Sequence, residues 1–120
     1  MPEPLKIAFT GLSGRLGKAS REVFGSRGDC ELIALHRGAK PAGVVQGIEV
    51  DLADPKSVKR IEGCDVIVNL AAVTDLEWAE QNESASEVVN ATTVGELGKR
   101  AAELGVPIFH VSTDYVFQGD

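Results

Sequence analysis

The stretch FTGLSGRLG, residues 9–17, decides how this chain is expected to fold. An apolar run precedes it and a helical pattern follows it, so a strand, a glycine turn and a helix start come in that order. Glycine lets the backbone turn sharply and approach a pyrophosphate closely, and a helix N-terminus offers free N–H groups and a partial positive charge. The stretch therefore predicts a dinucleotide site, with a plain strand-to-helix turn as the alternative.

The glycine spacing is Gly-x-x-Gly-x-x-Gly, which differs from the Gly-x-Gly-x-x-Gly of the standard dinucleotide fingerprint. Because the chain has 13 glycines in 120 residues, such a triplet can arise by chance. Its place at the first strand–helix junction favours binding over a plain turn. The residues expected to surround a phosphate here, including one nearby cation, are Gly11, Ser13, Gly14, Arg15 and Gly17.

Composition argues against several classes of partner. The net charge is −6 and the chain has no basic run, which disfavours nucleic acid and anionic membranes. No apolar stretch approaches the roughly 18 residues that a membrane span needs. The N-terminus lacks the basic and apolar regions of a signal peptide, so a cytoplasmic location is expected.

Cysteine and histidine do not form a metal-binding pattern. Cys30 and Cys64 are far apart without metal-ligand spacing, and we expect them to be reduced thiols of a cytosolic protein. His36 and His110 are isolated, and each is expected to be a strand or strand-end residue satisfied by hydrogen bonding. No metal site is therefore predicted.

Short apolar runs alternate with helical periods along the whole chain. This alternation predicts an α/β fold, a three-layer Rossmann-like doubly wound parallel sheet of about five strands in one portion spanning residues 1–120. The expected strands are residues 6–10, 31–36, 47–50, 65–70 and 106–111, and the expected helices are residues 14–26, 55–62 and 83–104. The first helix is expected to turn one face toward the sheet, formed by Leu16, Ala19, Ser20, Val23 and Phe24.

Ligands of such sheets gather at the carboxyl ends of the strands, so the residues that follow each strand are candidates for binding. Arg37 follows the second strand. An acidic residue there would hold a ribose 2′-hydroxyl, whereas a cation accommodates a 2′-phosphate. Arg37 therefore favours NADP over NAD, unless it is simply a solvated loop residue.

The other strand ends carry further candidates, each with a structural alternative. Asp51, which precedes Leu52, is placed to accept from an adenine amino group or to cap the next turn. Ala71 and Ala72 are small enough to pass close to a flat ligand or to pack tightly. Thr113 and its neighbouring serine offer hydroxyls to a substrate oxygen or a cofactor ribose, or cap a turn.

Together these motifs resemble the extended short-chain dehydrogenase/reductase family, and within it the dTDP-4-dehydrorhamnose reductases. The likeness spans nearly the whole chain in the right order. Its most specific piece, STDYVF at residues 112–117, separates this subgroup from sugar epimerases. The other pieces are TGxxGxLG at 10–17, DVIVNxAA at 65–72, VT at 73–74, AE at 79–80 and VNAT at 89–92.

The resemblance implies a reductase of a nucleotide-linked 4-keto sugar that uses NADPH or NADH. It places the glycines around the pyrophosphate, with Leu16 covering the loop, Arg37 at the adenosine phosphate, and Asp51 and Leu52 beside the adenine. It also implies contacts with the rest of the cofactor and the substrate. In this implied site Thr113 hydrogen-bonds the keto oxygen, Asn90 supports the active-site strand, and the cofactor is lined by Ala71, Ala72 and Thr74.

One departure from the family concerns its Tyr-x-x-x-Lys motif, which supplies the proton donor. Tyr115 is the only tyrosine, and position 119 is Gly119 instead of lysine. We therefore expect the N-terminal part of a longer enzyme, without the substrate-binding domain and catalytically incomplete alone. The alternatives are a non-catalytic regulatory subunit resembling the beta subunit of methionine adenosyltransferase, or a sugar-nucleotide epimerase or dehydratase.

The fifth strand is mostly apolar and would form an uncovered edge of the sheet. Proteins usually pair or cover such edges, and in a complete doubly wound sheet a sixth strand does so. We therefore expect this chain to associate with itself through that edge or to be poorly stable.

Overall fold

The computed structural model describes residues 3–12, 15–41, 43–44, 46–52, 54–70 and 92–110. These residues form five strands and three helices, and β3 follows β2 without a helix between them. The strands are β1 (Leu5–Thr10), β2 (Cys30–His36), β3 (Gln46–Glu49), β4 (Val66–Asn69) and β5 (Ile108–His110). The helices are α1 (Arg15–Gly25), a 3₁₀ helix (Pro55–Arg60) and α2 (Thr93–Leu104).

The five strands form one parallel sheet in the order β3-β2-β1-β4-β5. The chain moves outward from β1 to β3 and then crosses back to β4 on the other side of β1. The topological switch point therefore lies between β1 and β4, where ligands bind outside the carboxyl ends of the strands. The predicted α/β, Rossmann-like, doubly wound fold is confirmed.

Two apolar cores lie on opposite faces of the sheet. Successive strand residues point to opposite faces, so Ala8 faces the core under α2 and the 3₁₀ helix, whereas Ile7 and Phe9 face the core under α1. In α2, Leu97 and Ala101 are buried against the sheet. Both faces of β1 are thus covered, which explains its continuous apolar sequence.

The inward face of α1 differs from the predicted one. Leu16 and Val23 are 52% and 59% exposed, and Ala19 is also exposed, so the prediction is wrong for these three residues. Ser20 and Phe24, each one position after an exposed residue of the predicted face, are half-buried, and the Phe24 ring centroid lies 5.8 Å from that of Phe9. The buried stripe is therefore rotated by one residue relative to the apolar pattern.

Gly17 explains this rotation, because it is the point at which α1 touches the glycine turn. A Cβ atom at Gly17 would overlap the carbonyl oxygen of Gly11 and the backbone of Leu12. The helix approaches the turn so closely that only glycine fits at this contact. Hydrophobic periodicity misses such a contact because glycine has no side chain to count.

The helix predicted at residues 55–62 is a shorter 3₁₀ helix that ends at Arg60. Its start agrees with the prediction, since Pro55 is at the beginning and the Asp54 carboxylate accepts a hydrogen bond from the Lys56 N–H at 3.2 Å. The buried Ser57 hydroxyl lies 2.8 Å from the carbonyl oxygens of both Asp51 and Asp54. These side chain–backbone contacts hold the segment to the preceding turn and compete with a regular α-helix.

The described part of the last helix is α2, and residues 83–91 of the predicted helix lie outside the described residues. α2 ends at Leu104, as predicted, and Gly105 after it has the left-handed conformation, with φ of 70°. The described part of the fifth strand is Ile108–His110, at one edge of the sheet. Within the described ranges, no helix is long and apolar enough to cross a membrane.

The α1 face of the sheet is covered less completely than the α2 face. A groove with a volume of about 650 Å³ runs beside α1 over β1, β4 and β5. Its walls are apolar and include Phe9, Val66, Val68 and Phe109, and Leu16 borders it from α1. Phe109 is 59% exposed there.

Leu16→Ala tests the corrected orientation of α1, and Leu97→Ala in α2 is the reference for a fully buried leucine. Leu97→Ala is expected to destabilise the protein by about 2–5 kcal/mol, because Leu97 is fully buried. Leu16→Ala is expected to change the free energy of unfolding by less than about 0.5 kcal/mol, since Leu16 is a surface residue. Urea denaturation of both variants measures this, and a large loss for Leu16→Ala would contradict the orientation.

Two helical glycines test the contact at Gly17. Gly17→Ala is expected to cost about 1–3 kcal/mol, because the added methyl group must push α1 away from a backbone that cannot yield. Gly95→Ala is the matched control: Gly95 is exposed in α2 with no atom within 4 Å of the added methyl. That variant is expected to gain about 0.5–1 kcal/mol in urea denaturation. Equal effects at the two sites would refute the close contact.

Candidate functional site

The predicted phosphate site begins where β1 ends. Gly11 follows Thr10 with φ of 74°, a left-handed conformation that favours glycine. Gly17 packs on the carbonyl of Gly11, so two of the three predicted glycines have a demonstrated backbone role. Gly14 and Ser13 lie outside the described residues, as does the side chain of Arg15.

The start of α1 lies beside this turn. The first N–H groups of an α-helix have no intrahelical acceptor, and they carry the positive end of the helix dipole. The first turn of α1 contains no acidic side chain that would neutralise this charge. The turn and the helix end together therefore have the character of an anion-binding site. Leu16, predicted to cover the loop, is exposed on the groove side of this first turn.

The predicted adenosine-binding residues Arg37 and Asp51 lie together at the ends of β2 and β3. An Arg37 guanidinium nitrogen is 3.9 Å from Asp51 Oδ1, and the two side chains are 75% and 42% exposed. Such an exposed pair contributes little to stability, so the guanidinium can exchange this carboxylate for a phosphate at small cost. The high exposure of Arg37 also fits a solvated loop residue, and its cofactor role stays a prediction.

Gly47 brings a second basic side chain to the same corner. A Cβ atom at Gly47 would lie 2.7 Å from His36 Nε2 and 2.9 Å from Lys40 Cδ. The His36 imidazole and the aliphatic part of the Lys40 side chain thus pack over Gly47, and a larger residue at position 47 would exclude them. Lys40 was not among the predicted site residues. The sequence feature that could have indicated Lys40 is Gly47, because a glycine inside a short strand often marks the close approach of another group.

Leu52, predicted to flank the adenine, is half-buried and tied to α2. The buried hydroxyl of Thr93 donates to the Leu52 carbonyl at 2.5 Å. This bond fixes the segment after β3 against the first turn of α2. Sequence reasoning missed Thr93, because its partner is 41 residues away in the chain.

A hydrogen-bonded chain of side chains, the Thr10–Asn69–His110 relay, runs from buried residues at the ends of β1 and β4 to the exposed His110 at the end of β5. The Thr10 hydroxyl lies 2.5 Å from Asn69 Oδ1, and Asn69 Nδ2 lies 2.9 Å from His110 Nδ1. Thr10 and Asn69 are 0% and 1% exposed. The expectation that His110 is satisfied by hydrogen bonding is confirmed. His36 is likewise satisfied, with Nδ1 3.0 Å from the Gly38 carbonyl oxygen.

The resolved pKa shifts occur just before or at the start of β2 and β4, at the amino ends of the strands and thus on the side of the sheet opposite the candidate site. The Arg27 guanidinium holds the pKa of the Asp29 carboxyl well below its usual range. Burial raises the pKa of the Cys64 thiol, which keeps it protonated and unreactive near neutral pH. Cys30 and Cys64 are both free thiols, as expected, and they belong to different cores.

Several predicted site residues lie outside the described residues and stay predictions. They are Ala71, Ala72, Thr74, Asn90 and Thr113. Among the residues that are described, no three His, Cys, Asp or Glu side chains are grouped as a metal site would require.

Curated proteins include relatives whose sequences align with most of this chain. The chain is 35% identical over 116 residues to a dTDP-4-dehydrorhamnose reductase of Mycobacterium tuberculosis, covering 96% of this chain and 34% of that protein. It is 38% identical over 96 residues to the Escherichia coli protein of the same name, covering 71% and 32%. The chain thus spans about one third of the length of these relatives.

Solved structures share the fold. A hypothetical dTDP-4-dehydrorhamnose reductase from Sulfolobus tokodaii superposes with a TM-score of 0.79 at 30% identity, covering 97% of this chain and 42% of that one. The Bacillus anthracis dTDP-4-dehydrorhamnose reductase, in complex with NADP, gives 0.76 at 22% identity, covering 100% and 40%. A short-chain dehydrogenase/reductase superfamily protein from Agrobacterium tumefaciens with bound NAD gives 0.78 at 22% identity, covering 93% and 34%.

The family profile described as RmlD substrate binding domain matches residues 5–120. The resemblance on which the sequence interpretation rests is therefore confirmed, both for the dehydrogenase/reductase fold and for the reductase subgroup. Since this match extends over almost the entire sequence, the chain belongs to the RmlD substrate binding domain family.

Proposed function

We propose that this chain is the dinucleotide-binding part of a reductase that acts on a nucleotide-linked 4-keto sugar, of the dTDP-4-dehydrorhamnose reductase kind. The observation that carries the proposal is the glycine turn. Gly11 has the left-handed backbone, Gly17 packs against it, and α1 begins beside them at the carboxyl end of the central strand. The relatives reported above are reductases, which favours this reading over a regulatory subunit.

In this proposal the glycine turn and the residues after the strands hold the cofactor and orient it. The turn at Gly11 and the start of α1 would take the pyrophosphate, and Asp51 and Leu52 would border the adenine. The bound dinucleotide would supply a hydride to the keto carbon. Thr113 would hydrogen-bond the keto oxygen, and Asn90 would support the strand that carries it. The other residues proposed to line the cofactor are Ala71, Ala72 and Thr74.

We propose NADP rather than NAD as the preferred cofactor. Neighbouring structures carry NADP in one case and NAD in another, so the fold accommodates either dinucleotide. The preference rests on Arg37, which directly follows β2 at the sequence position where an acidic residue would bind a ribose 2′-hydroxyl. Lys40 adds positive charge to the same loop.

Titration of NADPH and NADH tests both proposals. We expect NADPH to bind more tightly, and Arg37→Gln to weaken NADPH binding about 10- to 100-fold by loss of a charged hydrogen bond, with little effect on NADH. Calorimetry or fluorescence measures both affinities. Arg27→Gln is the control, because it removes the same charge at the amino ends of the strands, on the side of the sheet opposite the candidate site. Equal affinities, or tighter NADH, would contradict the role of Arg37.

We also propose that copies of this chain associate through β5. It is the last strand of the sheet, and within the described residues no strand pairs with its outer side. Unpaired strand edges readily pair with another chain, and the exposed Phe109 adds apolar surface beside this edge.

Sedimentation of the wild-type chain should therefore show dimers or larger species. Phe109→Lys is expected to shift the population toward monomer, because a charge on an edge strand opposes pairing. Val23→Lys is the matched control, since Val23 is also 59% exposed but lies on α1. A monomeric wild-type chain that unfolds cooperatively at all concentrations would argue against association through β5.

A further inference from the structure

In the structure the hydrogen bonds of the Thr10–Asn69–His110 relay run in one direction. The Leu70 N–H donates to Thr10 Oγ1 at 3.0 Å, and the Thr10 hydroxyl in turn donates to Asn69 Oδ1 at 2.5 Å. The Asn69 amide oxygen is thereby used as an acceptor, which leaves its Nδ2 facing His110 Nδ1 at 2.9 Å. An amide NH₂ group only donates, so His110 Nδ1 must accept through its lone pair.

This direction sets the tautomer of His110. With Nδ1 as an acceptor, the neutral imidazole carries its proton on Nε2. The other histidine of the chain has the opposite requirement, because His36 Nδ1 lies 3.0 Å from the Gly38 carbonyl oxygen, which only accepts. His36 therefore carries its proton on Nδ1, and the two histidines are opposite tautomers.

The relay also joins two parts of the candidate site. Thr10 immediately precedes Gly11, the residue that begins the phosphate-binding turn, and His110 is three residues before Thr113 in the sequence. The register sets Thr10 opposite Asn69 and Asn69 opposite His110, so the three strand ends are level. Thr10 and Asn69 are shielded from water, which strengthens their bond and makes a broken one costly.

We propose that Asn69 and His110 are positioning residues that couple the glycine turn to the end of β5. A displacement of Thr10 when a dinucleotide binds at the turn changes the bond to Asn69, and Asn69 passes the change to His110. The three groups are coupled because they can change only together: a reversed Asn69 amide would need both a new Thr10 hydroxyl orientation and a new His110 tautomer. The part of this proposal that concerns the dinucleotide rests on the proposed function.

The first test needs no ligand. Ring ¹⁵N NMR at about pH 8, above the ordinary histidine range, reports the tautomer of each neutral histidine. In the wild-type chain we expect the Nε2–H form for His110 and the Nδ1–H form for His36. Thr10→Val keeps the side-chain shape but removes the hydroxyl that holds Asn69, so the His110 ring signals should shift. Thr10→Ser keeps the hydroxyl and should retain them, and His36 should be unchanged in both variants.

Asn69→Asp provides a second variant if Thr10→Val does not fold. A carboxylate only accepts, so His110 is expected to change to an Nδ1–H form that donates to it. An Nδ1–H form of His110 in the wild-type chain would overturn the proposal. Wild-type His110 signals in both Thr10→Val and Asn69→Asp would overturn it as well.

The second test follows both histidines during titration with NADPH. His36 lies next to Arg37 and should report binding in every variant, whereas His110 should respond in the wild-type chain and in Thr10→Ser but lose its response in Thr10→Val. A full His110 response in Thr10→Val would show that the signal does not travel through the relay, and would refute the coupling. If neither histidine responds in the wild-type chain, the dinucleotide proposal fails, and the ligand-free experiment alone decides whether the relay couples the strands.

Discussion

The arrangement of this protein depends on the contact between α1 and the glycine turn. Because nothing larger than hydrogen fits between Gly17 and the carbonyl of Gly11, the helix is held against the end of the central strand. That contact fixes the rotation of α1, and the rotation decides that Phe24 packs on Phe9 while Leu16 and Val23 stay more than half exposed. The same contact sets the positive end of the helix beside the turn, so the packing of α1 and the anion-binding character of the turn have one cause.

The candidate site combines a rigid part and an exposed part. At the glycine turn the backbone conformation is set by Gly11 and by the packing of Gly17. At the ends of β2 and β3, Arg37 and Asp51 form a loose ion pair on the surface. A pyrophosphate would meet groups already in position, whereas a 2′-phosphate would have to displace a weak pairing. If the chain binds a dinucleotide as proposed, the glycine turn would recognise the part that NAD and NADP share, and the exposed ion pair would discriminate between them.

Much of the sheet could be predicted from the sequence, because burial on both faces leaves continuous apolar runs such as residues 66–68. The turn at Gly11 and the end of α2 at Gly105 were also predictable, since both need a conformation that glycine favours. The orientation of α1 was not, because its determinant is the missing side chain of Gly17. The relay was not either, since Thr10 and Asn69 are 59 residues apart and only the strand register brings them together.

The order of the strands has a consequence for the folding pathway. Pairing of β1 with its sequence neighbour β2 closes a short segment of chain, whereas pairing of β1 with β4 joins residues 59 positions apart, as between Thr10 and Asn69. Loop-closure entropy opposes the second pairing more strongly, and contacts distant in sequence slow folding. The candidate site lies on the seam between these two pairings. The candidate site is therefore complete only after β1 has paired with β4, which is the step of sheet assembly with the largest entropic cost.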